Sequence, residues 1–176
     1  MMKTKYSIVL LCVSSLLLLS TAVFAGKVSV DVDENDVAIG GYDTVAYFTE
    51  GLANEGSANY TVVYNGAIYR FESAKNRDLF RAEPAKYVPQ YGGHCAYGVT
   101  KNRKFVADPR AWDVVDGKLY LNTNRKIRDK WRKDIAGNVE EANGIWTDIA
   151  AAKDADLEED FPVFRKSGDE KMDDFW

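Results

Sequence analysis

The strongest local signal lies in residues 60–71, which read Tyr-Thr-Val-Val-Tyr-Asn-Gly-Ala-Ile-Tyr-Arg-Phe. Two runs of β-branched and aromatic residues, which favour strands, flank the pair Asn65-Gly66. Asn and Gly tolerate the positive φ angles of the two-residue turn that joins such strands. A second pair of strands is predicted from Trp112 to Leu121, around Asp116-Gly117. The sequence therefore predicts two β-hairpins.

The segments outside the hairpins predict helices. Ser73 is a capping residue ahead of a helix that ends near Arg81, and Pro84 opens another short helical turn. Apolar residues at helical spacing then predict a C-terminal pair of amphipathic helices. They are Ile127, Trp131 and Ile135 in the first helix and Val139, Ala142, Ile145, Trp146 and Ile149 in the second. The predicted fold class is α+β, a small single domain with two β-hairpins, several short helices and a C-terminal helix pair.

The N-terminus predicts export. Lys3 and Lys5 precede an apolar run over residues 8–19, and small side chains lead up to Ala25. This pattern is typical of a cleaved secretory signal peptide, here residues 1–25. The apolar run is shorter than the roughly 20 residues that a transmembrane helix needs. We expect a periplasmic or secreted protein with no membrane span after cleavage.

The remaining chain is long enough for one domain with its own core. Residues 26–152 carry the predicted elements, and residues 153–176 form an acidic tail that contains aromatic residues. Loss of Lys3 and Lys5 changes the formal net charge from −4 to −6. This negative balance, together with export, argues against a nucleic-acid partner.

The candidate chemistry lies in residues 91–96, Tyr-Gly-Gly-His-Cys-Ala. His94 is the only histidine of the chain, and Cys95 is the only cysteine outside the predicted signal peptide. Gly92 and Gly93 allow turns that a Cβ atom disfavours, so the imidazole and the thiol can lie at an unusual bend. A single cysteine forms no internal disulfide, so its thiol must be buried, metal-bound, capped or reactive.

Several motifs, taken together, resemble the exported branch of the YHS-domain proteins. They are residues 41–48 (Gly-Tyr-Asp-Thr-Val-Ala-Tyr-Phe), residues 69–73 (Tyr-Arg-Phe-Glu-Ser), Phe80 with Pro84 and Tyr87, residues 91–96, and residues 116–121 (Asp-Gly-Lys-Leu-Tyr-Leu). The resemblance covers roughly residues 37–151. It implies a small α+β module related to the heavy-metal-binding YHS and TRASH-like modules, which are often linked to copper. It also implies chalcogen reactivity, because some relatives carry selenocysteine at the position of Cys95.

The chain departs from the metal-binding relatives at the positions of their ligands. Those relatives carry cysteines where this chain has Ala46, Glu72 and Asn76, and Thr44 replaces their proline. A structural zinc site needs four N or S ligands, whereas the chain beyond the predicted signal peptide offers one of each. The resemblance therefore does not carry the metal site of the family onto these positions.

The first hypothesis for His94 and Cys95 is a soft-metal site, with copper the most suitable ion. Cys95 would be the thiolate ligand and His94 the imidazole ligand. Neighbours in an extended chain point to opposite faces, so the two ligands converge only in a turn or at a helix start. Tyr42, Asp43 and Tyr91 are candidates for lining this site.

The second hypothesis is a single-thiol redox protein. A cysteine at a helix start beside an imidazole can have a lowered pKa, which increases the thiolate fraction at neutral pH. Cys95 would then form a sulfenic acid or a mixed disulfide. The chain has no resolving cysteine, so the reaction would need a thiol partner protein. The selenocysteine in similar proteins favours this hypothesis.

The third hypothesis is a non-catalytic ligand-binding or interaction module in which Cys95 is structural. Free cysteine is among the most buried residue types and often behaves as a small apolar side chain. Asp43 would then only cap a short helix that extends through Phe48. The exposure of Cys95 distinguishes this hypothesis from the other two. We do not expect turnover of an organic substrate.

Overall fold

The computed structural model describes residues 30–152 and confirms an α+β fold built on two hairpins. The elements are α1 (Ala46–Thr49), β1 (Ser57–Tyr64), β2 (Ala67–Phe71), α2 (Ala74–Ala82), α3 (Pro84–Tyr87), α4 (Ala96–Val99), β3 (Asp108–Val115), β4 (Lys118–Asn122), α5 (Arg125–Trp131) and α6 (Ile135–Ile149). The predicted signal peptide and the predicted acidic tail lie outside the described residues.

Both predicted hairpins are confirmed. β1 pairs antiparallel with β2, and the turn residues Asn65 and Gly66 have φ angles of 51° and 81°. β3 pairs antiparallel with β4, and Asp116 and Gly117 have φ angles of 50° and 71°. These positive angles are what a two-residue hairpin turn requires. β3 begins at Asp108, four residues before the predicted start, with a register shift on the way to Trp112.

The helix starts follow from side-chain caps. The Ser73 hydroxyl accepts the Asn76 N–H at the start of α2, as the sequence predicts. The Asp134 carboxylate accepts the Gly137 N–H, so α6 begins at Ile135. The prediction that Ile135 belongs to the first helix of the C-terminal pair is therefore wrong. A cap at Asp134 starts a new helix before the apolar pattern changes.

The core consists of two clusters that meet at β4. Leu119 and Leu121 point into the first cluster, which also holds Phe71 and Phe80. Tyr120, on the opposite face of the strand, points into a second cluster. Side chains alternate across a strand, so one strand serves both clusters. The second cluster contains Tyr91, Ala96, Val99, Tyr120, Trp131, Ala142 and Ile149.

The candidate His-Cys segment lies against this shared strand. Cys95 forms a parallel bridge with Leu121, and its N–H donates to the carbonyl of Phe105. The segment is therefore held in the interior by backbone contacts on both sides. Within residues 30–152, no helix has the length and hydrophobicity to cross a bilayer.

Candidate functional site

A sharp bend precedes His94 and Cys95. Tyr91, Gly92 and Gly93 have φ angles of 54°, 62° and 89°. Such angles are disfavoured for residues with a Cβ atom, which explains the two glycines. The bend is closed by a hydrogen bond of 3.1 Å from the His94 N–H to the Tyr91 carbonyl. The predicted turn is therefore present, and it delivers the next two residues into the interior.

The Cys95 thiol is fully buried and serves as a helix cap. Its exposed fraction is 0%. The Gly98 N–H donates to Sγ at 3.3 Å, so the sulfur takes the place that a serine or aspartate oxygen has at many helix starts. The thiol in turn donates to Asn122 Oδ1 on β4, at 3.7 Å. The sulfur thus joins the first turn of α4 to the shared strand.

Burial raises the pKa of the Cys95 thiol above its ordinary value of 9.0, and the hydrogen bonds around the sulfur oppose this by less. Desolvation penalises the charged form, so the thiol is protonated at neutral pH. A protonated thiol is a poor nucleophile and a poor metal ligand. The redox hypothesis depends on a lowered pKa of the Cys95 thiol, whereas burial in this structure raises that pKa.

His94 is also buried, with an exposed fraction of 4%, but its ring contacts a different element. The centroid of the imidazole lies 6.0 Å from that of Trp146 on α6. His94 and Cys95 have backbone angles of −66°/161° and −56°/113°, so neither is helical. Successive side chains in such a backbone diverge. The imidazole contacts α6, whereas the thiol contacts β4 and α4.

Tyr91, a predicted lining residue, lies near His94. Its ring packs against Trp146, with centroids 5.8 Å apart, and Trp146 also contacts the imidazole. The Tyr91 hydroxyl donates to Asn143 Oδ1 at 3.1 Å. Burial raises the pKa of Tyr91 well above the ordinary tyrosine value. Tyr91 is therefore a neutral residue that holds α6 against the bend.

Asp43, the second predicted lining residue, forms its hydrogen bonds in the first cluster region. One oxygen accepts the N–H groups of Val45 and Ala46 at 2.8 and 3.3 Å, at the start of α1. Asp43 thus caps the turn that leads into α1, as predicted, although Val45 rather than Asp43 stands at the N-cap position of the helix. Tyr42, beside it, is half-buried and packs against the first cluster. Because Tyr91 belongs to the second cluster, the three predicted lining residues are divided between the two.

The other oxygen of Asp43 accepts two hydrogen bonds that the sequence did not predict. It accepts the Glu72 N–H at 2.9 Å and the Asn76 side-chain amide at 2.8 Å. Asp43 and Asn76 are buried, with exposed fractions of 0% and 4%. Ala46, Glu72 and Asn76 are the positions that the resemblance matches with cysteines, and all three donate a hydrogen bond to Asp43. A buried asparagine needs hydrogen-bond partners, but the sequence alone does not show that Asn76 is buried, so it gives no signal for this network.

A pair of carboxylates adjoins this network at the surface. The Asn54 amide donates to Glu50 at 2.9 Å and to Glu72 at 2.8 Å. The pKa of Glu72 is raised, mainly because its carboxyl hydrogen-bonds to that of Glu50. The Glu72 carboxyl therefore holds its proton more readily than an isolated glutamate does.

The described residues supply few ligands for a metal ion. In the part of the chain that the structure describes, no three His, Cys, Asp or Glu side chains lie close enough together to hold one. His94 and Cys95 offer one imidazole and one protonated, buried thiol. Copper sites use deprotonated thiolate and usually three or more ligands. The described residues alone thus fit a copper centre poorly, and copper binding stays a prediction.

No family model, curated protein or solved structure matches this chain at a significant level.

Proposed function

We propose that this chain is an exported, non-catalytic ligand-binding or interaction module in which Cys95 is a structural residue. The observation that carries the proposal is the environment of the sulfur, which has no exposed surface and hydrogen-bonds to Gly98 and Asn122. These contacts use the thiol both as acceptor and as donor. Chemistry at Cys95 would have to break both and would also have to ionise a buried group.

The structural role explains why a cysteine stands here. The cap needs an acceptor for the Gly98 N–H, and the site needs a donor to Asn122 Oδ1. Serine has both properties but a smaller, more polar side-chain atom. Alanine has neither, and it leaves a cavity and an uncapped helix start. We expect Cys95→Ser to lower the free energy of unfolding by about 1 kcal/mol and Cys95→Ala to lower it by about 3 kcal/mol.

The first experiment measures alkylation of Cys95 in the protein purified after export. N-terminal sequencing of the same sample tests the predicted cleavage after Ala25. We expect Cys95 to react at least about a hundredfold more slowly in the native protein than in urea, because alkylation requires opening of the core. The matched control is Cys95→Ala/Thr147→Cys, whose new thiol lies on the exposed face of α6 and should react at the rate of a free thiol. Equal native rates at positions 95 and 147 would refute the structural role.

The second experiment separates this proposal from the two chemical hypotheses. The wild type and Cys95→Ser are compared for Cu(I) uptake against a chelator and for adduct formation with oxidised glutathione. We expect the two folded proteins not to differ in Cu(I) uptake or in the amount of glutathione adduct. Stoichiometric Cu(I) uptake that Cys95→Ser loses would favour the soft-metal site instead. A native Cys95–glutathione adduct would favour the redox hypothesis.

A further inference from the structure

Three of the four strand edges in the described part of the fold have at least one contact from another segment. On β2, the Ile68 N–H donates to the Asp36 carbonyl at 2.7 Å, and the Ile68 carbonyl accepts the Ala38 N–H at 2.9 Å. On β4, Leu121 forms its bridge with Cys95. On β3, the side chain of Arg128 donates to the Trp112 carbonyl at 3.4 Å. These contacts satisfy outward-facing backbone groups, which would otherwise attract another strand.

The outer edge of β1 is different. Val62 and Tyr64 pair with Tyr69 and Ala67 across the two-residue turn, so their backbone groups face β2. Those of Thr61 and Val63 therefore face away from β2. Within residues 30–152, no protein group is hydrogen-bonded to the Thr61 or Val63 backbone on this outer side. The edge thus presents two N–H and two C=O groups in strand geometry.

The side chains of β1 do not protect this edge. The strand Ser57–Tyr64 contains no charged residue and no proline, whereas β3 contains Asp108, Pro109 and Arg110. Charge and proline are devices that keep strand edges apart. Val63 has an exposed fraction of 70%, the highest among the exposed large hydrophobic residues of the described chain.

We propose that the outer edge of β1 binds the same edge of a second copy of this chain. The two strands would run antiparallel about a twofold axis at Val62, with Thr61 of each copy opposite Val63 of the other. This register forms four N–H···O=C bonds and joins the two hairpins into one four-stranded sheet. Since β1 is uncharged, two copies meet without charge repulsion along the strand, and each exposed Val63 is covered by a Thr61. A two-stranded sheet also gains stability from additional strands.

Disulfide trapping tests the register. At the axis, the two Val62 residues form a non-hydrogen-bonded pair, whose Cα atoms lie about 4.5 Å apart. This separation falls within the range of about 4.4–6.8 Å that disulfides span. We expect Val62→Cys to form a covalent dimer in glutathione buffer, at a level at least about tenfold above Thr147→Cys, which lies on exposed α6. Equal cross-linking of the two variants would overturn the proposal.

A second set of variants tests the edge without a cysteine. Val63→Pro removes an outward-facing N–H and leaves the β1–β2 bonds in place, and Val63→Lys places two like charges diagonally across the proposed interface. In sedimentation equilibrium over a concentration series, we expect the wild type to show a monomer–dimer equilibrium that both variants lose. The Lys variant decides the result if the Pro variant does not fold. A wild type that stays monomeric throughout, or variants that dimerise equally well, would exclude self-pairing and leave the edge to a strand of another protein.

Discussion

Replacement of Asp43 by alanine tests the hydrogen-bond network that joins α1, the end of β2 and α2. The carboxylate is fully buried and accepts four hydrogen bonds, from the N–H groups of Val45, Ala46 and Glu72 and from the Asn76 amide. Alanine removes all four acceptor contacts and leaves buried donors behind. Buried donors without acceptors cost more free energy than the bonds themselves contribute.

The magnitude follows from the number of bonds. A hydrogen bond to a charged group contributes about 1.5–3 kcal/mol, and water entering the cavity recovers part of the loss. We expect Asp43→Ala to lower the free energy of unfolding by about 4 kcal/mol. Domains of this size are stable by only about 5–15 kcal/mol. Asn76→Ala removes one of the four bonds, and we expect it to cost about 1.5 kcal/mol.

Urea unfolding followed by tryptophan fluorescence measures these values, with Asp148→Ala on exposed α6 as the matched control. We expect the control to change the free energy by less than about 0.5 kcal/mol. The hydrogen bond between Asp43 and Asn76 is lost in each single variant, so the sum of the two single effects counts it twice. The double variant should therefore lose about 1 kcal/mol less than that sum. A loss below about 1 kcal/mol for Asp43→Ala, or no coupling, would refute the role of the network.

Three further predictions concern the surroundings of the first hairpin and the helix α6. Burial raises the pKa values of Tyr47 and Tyr69 well above the ordinary value of 10.0, so above about pH 10 only the unfolded state loses these protons. Urea unfolding at pH 9–11 should therefore show stability that falls more steeply above about pH 10, by up to about 1.4 kcal/mol per pH unit for each of these two tyrosines. This decline adds to the one that the raised pKa of Cys95 begins near its ordinary value of 9.0. Tyr47→Phe should make the decline above pH 10 less steep, and an unchanged slope would contradict the assignment. Gly56→Ala should cost about 2–4 kcal/mol, because its Cβ would lie 2.5 Å from the backbone carbon of Arg70. Gly144→Ala, with no atom near its Cβ, should instead stabilise α6 by about 0.5–1 kcal/mol. Thermal unfolding measures both variants in parallel, and equal changes in their melting temperatures would contradict the predicted close contact at Gly56.

The hairpins and some helix starts could be predicted from the sequence because each depends on residues a few positions apart. Asn65-Gly66 and Asp116-Gly117 specify their turns through their own φ preferences. Ser73 specifies the start of α2 through an N–H three residues away. The start of α6 was misassigned for the same local reason, since Asp134 competes with the apolar periodicity and fixes the boundary at Ile135.

The candidate site was predictable only in part. The sequence identifies His94 and Cys95 as unique among the residues beyond the predicted signal peptide, and Gly92 and Gly93 as the cause of a bend. It also identifies Asp43 as a cap. It does not reveal that Asn76 and Glu72 meet Asp43, because contacts between residues 29 or 33 positions apart depend on how the hairpin and α2 pack.

The sequence by itself determined that residues 30–152 contain one imidazole and one thiol, His94 and Cys95, and that both follow a pair of glycines. Only the tertiary structure decided that both side chains are buried and which elements they contact. β4 brings Asn122 to the sulfur and α6 brings Trp146 to the imidazole, so two adjacent residues are buried against different elements. Burial raises the pKa of the Cys95 thiol, because desolvation by distant parts of the chain outweighs the hydrogen bonds of Thr123, and of Gly98 at the start of α4, that would lower it.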